Sequence, residues 1–149
     1  MIRVNKLTDY AVVLMVHMVR SGTQKSVHQC AVETHVPTPT VAKIMKMLSK
    51  EKLVIAARGA HGGYVLGRAP EDISVADIIH VIEGPIALTS CVDEALDQCD
   101  IGSFCSVHGR WNRVNAAVQD ALSGVTLADM AADHTPKVQR ECNPAQTQC

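Results

Sequence analysis

Residues 38–50, TPTVAKIMKMLSK, decide the architecture. Pro39 suits the first position of a helix, where a missing N–H costs nothing, and Thr38 before it is the expected N-cap. Val41, Ile44, Met45 and Leu48 then recur at i, i+3, i+4 and i+7, while Lys43, Lys46 and Lys50 occupy another side. A helix divided this way packs by one face and offers cations by the other.

The flanking punctuation extends the pattern in both directions. Upstream, Thr8 is the expected cap of a first helix, with Leu7 and Val12 as a hydrophobic staple and Gly22 at its end. Ser26 and Gln29 form a capping box that opens a second helix, which must stop before Pro37. Downstream, Leu53 to Ala57 predicts a strand, Arg58-Gly59-Ala60-His61-Gly62-Gly63 a turn and Tyr64 to Leu66 a returning strand. A helix pair joined by a short turn, then a hairpin, predicts a winged helix-turn-helix that fits a DNA major groove. The glycines do not form a phosphate loop, because no Lys-Ser/Thr and no helix follow them. Candidate DNA-contacting residues are Ser26, Thr38, Thr40, Lys43, Lys46, Arg58 and His61, with Arg58 and His61 at the wing tip, where a guanidinium can enter a narrow minor groove.

Charge supports this division of labour. Residues 1–68 carry ten Lys/Arg against Asp9, Glu33 and Glu51, a net of +7, whereas residues 69–149 carry a net of −8. A basic half of this size suits a polyanion, since neutralised phosphates release condensed counterions. The 149 residues, 47% of them hydrophobic, are enough for a substantial core. The apolar run from Ala11 to Val16 is too short to span a bilayer and lacks the pattern of a signal peptide. The expected compartment is therefore the cytoplasm, with no membrane partner, where six cysteines argue for metal or redox chemistry rather than disulfides.

Beyond Pro70 the chain turns acidic. Ser74 and Asp77 cap a helix carrying Val75, Ile78, Ile79 and Ile82 on one face and ended by Gly84-Pro85. Residues 86–104 show no period. A long helix over roughly Ser106 to Leu122 follows, with Trp111, Val114, Val118 and Ala121 or Leu122 along one face, and Thr126 with Asp129 caps a short last helix. The expected organisation is a winged helix-turn-helix over 1–69, a cysteine loop and dimerisation helices over 70–134 and a disordered tail over 135–149. The fold class is mainly α with a small β-hairpin wing. The long helix has no obvious partner within so short a chain, which implies pairing with a second copy in a homodimer.

Cys91, Cys99, Cys105 and His108 stand in the pattern C-x7-C-x5-C-x2-H. Cys105 and His108 are expected on one face of the helix start, pre-aimed as ligands, and the helix N-terminus favours thiolate there. Zinc fingers and ribbons bring cysteines in closer pairs, while iron–sulfur ligation tolerates wider spacing. Cys30 is expected in the core, and Cys142 and Cys149 fall in the tail.

Leu7-Thr8-Asp9-Tyr10-Ala11, the wing stretch Arg58 to Tyr64 and the cysteine loop together resemble the Rrf2 family of bacterial transcription regulators over about residues 1–133. The resemblance implies a dimeric winged-helix protein, not an enzyme, that binds an operator in double-stranded DNA under the control of an iron–sulfur cluster. It implies Cys91, Cys99 and Cys105 as thiolate ligands, a two-iron cluster in preference to a four-iron one, and Arg58 as the wing arginine. For the fourth ligand, His108 matches the histidine of IscR-like members and Asp9 matches the acidic residue that NsrR-like members supply from the partner subunit; the i, i+3 spacing favours His108.

The stretch Thr126 to Met130 and the spacing from Cys105 to Trp111 are most similar to the branch that regulates SUF cluster-assembly genes. Two departures are visible. Seven residues, rather than the family's usual five, separate Cys91 from Cys99, and Ala42 stands where IscR-like members carry an acidic residue. The alternatives are a nitric-oxide- or redox-responsive repressor of the same family, a winged-helix module with structural zinc, and a thiol relay using Cys105.

Overall fold

A computed structural model describes residues 3–59, 62–89, 92, 104–107 and 109–132. Three helices open the chain, α1 (Lys6–Ser21), α2 (Val27–Thr34) and α3 (Thr38–Lys50), followed by the antiparallel strands β1 (Val54–Ala57) and β2 (Gly63–Leu66). A 3-10 turn over Pro70–Asp72 leads to α4 (Val75–Glu83), and α5 (Trp111–Ser123) and α6 (Leu127–Ala131) complete the described elements. The mainly helical fold with a hairpin wing is the one the pattern predicts.

The caps explain most of the boundaries. All three predicted capping boxes are present, Ser26–Gln29, Ser74–Asp77 and Thr126–Asp129, each side chain answering the other's backbone N–H. Gly22 ends α1 at φ +60°, a left-handed conformation that favours glycine. Two expected caps are corrected. The cap of α1 is Asn5, whose Oδ1 accepts from the backbone of Leu7 (2.7 Å) and Thr8 (2.9 Å). Thr8 lies inside the helix and is fully buried. Its hydroxyl donates to Glu83 Oε1 at the end of α4 (2.5 Å), so the tertiary partner claims the side chain that would otherwise cap. In α3 the boundary moves by one residue: the Pro37 carbonyl accepts from Thr40 (2.9 Å) and Val41 (3.0 Å), and Thr38 is the first helical residue.

One hydrophobic cluster joins Ala11, Leu14, Met15 and Met18 of α1, the predicted stripe Val41, Ile44, Met45 and Leu48 of α3, Ile78 and Ile82 of α4, and Leu127 of α6. Fully burying a Leu, Ile or Met side chain contributes about 1.5–3 kcal/mol, so the shared cluster fixes α3 against the rest of the molecule. Cys30 is part of it, as expected.

The wing is anchored at its base. Val54 pairs with Leu66 and Ala57 with Gly63, and beyond the hairpin Lys25 and Tyr64 exchange backbone bonds of 3.1 and 2.8 Å. A Cβ at Gly63 would sit 2.6 Å from the Lys25 carbonyl oxygen, which is why this close approach requires glycine.

Candidate nucleic-acid interface and cysteine loop

With the α3 stripe buried, Ala42, Lys43, Lys46 and Lys50 are exposed along the opposite side of the helix. Thr38 is exposed at its first turn and Thr40 is half-buried. At the start of α2 the Ser26 oxygen accepts from Gln29 N–H (3.1 Å), which leaves its hydroxyl proton available for an outside acceptor. Arg58 is exposed just past β1. These side chains are compatible with a phosphate-facing surface, and His61 lies outside the described residues.

A cation–carboxylate cluster that the sequence patterns do not signal ties α2 to α1. Glu33 Oε1 accepts from Lys25 Nζ (3.0 Å), and Glu33 Oε2 lies 2.6 Å from His17 Nε2. The Lys25 hydrogen bond, and next the one to His17, hold the Glu33 carboxyl below its usual range. Because Lys25 also carries the bridge to Tyr64, the cluster links the wing base to the helix pair. Burial, with Glu33 adding to it, pushes the Cys30 thiol up, so this cysteine is an inert core group.

The cysteine loop is only partly within the described residues. Cys91, Cys99 and His108 lie outside them, as does the tail 135–149. Cys105 is a half-buried free thiol. Among the described residues, no three His, Cys, Asp or Glu side chains come together as a metal site. The expected helix start is corrected: α5 begins at Trp111, after Gly109 in the left-handed region at φ +73°, so Cys105 precedes the helix. The donor set of three thiols and an imidazole suits iron–sulfur ligation. Asp9, the other candidate, is exposed on α1.

α5 shows its apolar side to the outside. Trp111 is 39% and Val114 47% exposed, and Phe104 and Val107, on either side of Cys105, are 92% and 44% exposed. Its buried residue is instead the polar Asn115, whose carbonyl oxygen accepts from Leu88 N–H (3.0 Å) and whose amide donates to the Ile86 carbonyl (2.8 Å). The sequence offered no signal for Asn115, since only the position of residues 86–88 makes that side of α5 interior.

No helix among the described residues is long and apolar enough to cross a membrane. Residues 4–133 match the family model described as "Rrf2: Iron-dependent Transcriptional regulator". A Mycobacterium tuberculosis protein named as an HTH-type transcriptional regulator is 31% identical over 138 residues, covering 91% of this chain and 84% of its own. Among solved structures, CymR, the global cysteine regulator of B. subtilis, aligns with a TM-score of 0.68 at 28% identity, over 88% of this chain and 97% of its own. The T. potens IscR aligns with a TM-score of 0.65 at 30% identity, over 87% of this chain and 85% of its own.

Proposed function

The chain belongs to the Rrf2 family of DNA-binding transcriptional regulators, and from that premise we propose that an iron–sulfur cluster, of two-iron type, controls how its homodimer binds operator DNA. Cys91, Cys99, Cys105 and His108 are the ligands of this reading, and the genes governed are those of SUF-type cluster assembly. The observation that carries it is the position of Cys105, a half-buried thiol six positions ahead of a helix whose Trp111 and Val114 lack cover in the single chain. When bound, the cluster supplies a redox-sensitive set of metal–thiolate bonds at that point.

The chain's own residues do the rest. Trp111 and Val114 of α5 meet their counterparts in the second protomer, so the spacing of the two winged halves follows the setting of this helix pair. Lys43 and Lys46 neutralise phosphates on each half-site, and Thr38 and Thr40 lie at the N-terminal turn of α3, where helix-turn-helix proteins reach base edges. Arg58, with His61, serves the minor groove beside the wing. Half-sites about one helical turn apart then accept the dimer in one setting of α5 better than in the other.

A second reading is a cluster-free regulator of sulfur-amino-acid genes, favoured by the near-complete overlap with the B. subtilis cysteine regulator. Anaerobic purification separates the two. Brown protein with matching iron and sulfide content, lost on replacing Cys91, Cys99 and Cys105 with serine together with the change in operator affinity, is the expected result. Colourless, metal-free protein that still binds operator overturns the cluster reading, and colourless protein with zinc assigns the loop a structural metal.

A further inference from the structure

Asn115 is 6% exposed on a helix that leaves Trp111 and Val114 uncovered. A buried carboxamide is costly unless its donors and acceptor are used, and here both ends are used by backbone rather than by side chains. The two partners, the Ile86 carbonyl (2.8 Å) and the Leu88 N–H (3.0 Å), straddle one residue just past the end of α4. Leu88 lies three positions before Cys91 in the chain. Below this link is an open cavity of about 360 Å³ between α4 and α5, lined by Asp77, His80, Asn115 and Gln119. The start of the cysteine loop is thus pinned to α5 by one amide at the edge of a hollow.

We infer that Asn115 is a positioning residue that couples the cysteine loop to α5, so that a change at the loop cysteines is passed to the helix as a rigid displacement rather than lost in the loop. The inference rests on the proposed cluster control, but the pin itself does not require a cluster. Two hydrogen bonds that share a side chain move together: Asn115→Ala removes both, whereas Asn115→Asp keeps the acceptor for Leu88 and replaces the donor to Ile86 with a repelling oxygen.

The test uses the full-length protein with three readouts. In cluster-free protein, amide exchange at Leu88 should accelerate roughly tenfold in Asn115→Ala, the loss expected for one backbone hydrogen bond. Alkylation of Cys91, read by mass spectrometry, should change several-fold, while buried Cys30 stays unmodified as an internal control for native packing. In cluster-loaded protein, the ratio of operator affinities with and without cluster should fall toward one, and the visible circular dichroism of the cluster should change.

A purely structural role would lower both affinities equally and leave the ratio and the dichroism as in the wild type; that outcome, or unchanged exchange at Leu88 in Asn115→Ala, overturns the inference. If Asn115→Ala does not fold, Asn115→Asp decides it through the affinity ratio, the dichroism and Cys91 alkylation, with exchange at Leu88 unchanged there because its acceptor is kept. Wild-type protein that carries no cluster overturns the proposed function, and the pin is then decided by exchange and alkylation alone.

Discussion

At the scale of single residues, Gly63 carries a steric constraint at the base of the wing. A methyl group there meets the Lys25 carbonyl oxygen and carbon at 2.6 and 2.7 Å and the Ser26 nitrogen at 3.0 Å, all backbone atoms that cannot swing away. Gly63→Ala should therefore destabilise the protein by about 1–3 kcal/mol, as overpacking does, and should detach β2 from Lys25. Chemical denaturation checks the first effect and amide exchange at Tyr64, which donates to Lys25, checks the second. Thr8 teaches a related lesson. Its place in the sequence is that of a good cap, and only the arrival of Glu83 from α4 shows that Asn5 caps α1 and Thr8 bonds inward.

At the scale of elements, α3 was legible almost in full. Its stripe at i, i+3, i+4 and i+7 is buried, and the lysines between are exposed, because a helix with one apolar face has one way to pack. Lys46→Ala should reduce the salt dependence of DNA binding by about one unit of slope and weaken operator and random duplex alike. Fluorescence anisotropy across a salt series measures both; a loss confined to the operator would instead make Lys46 a base-reading residue. The capping boxes at Ser26, Ser74 and Thr126 were legible because each is a code of four consecutive residues. The start of α5 was not, because Gly109 interrupts a stretch whose apolar spacing suits a helix from Ser106 onward. Nor was Asn115, whose burial depends on a segment more than twenty residues away in sequence.

At the scale of the whole molecule, the exposed side of α5 is the face on which the proposed homodimer rests. Trp111 and Val114 are accessible while the same helix buries an asparagine, an inversion that makes sense when a second chain covers the apolar side. Val114→Glu should convert dimer to monomer in light scattering, with α-helical content retained and operator affinity reduced. A dimer that persists in this variant would place the contact elsewhere. One consequence reaches beyond the structure. If only the paired form grips its promoter, then at low abundance the active species grows as the square of synthesis. Halving expression would cut occupancy about fourfold, so a cell would adjust this circuit more steeply through gene dosage than a lone polypeptide would allow.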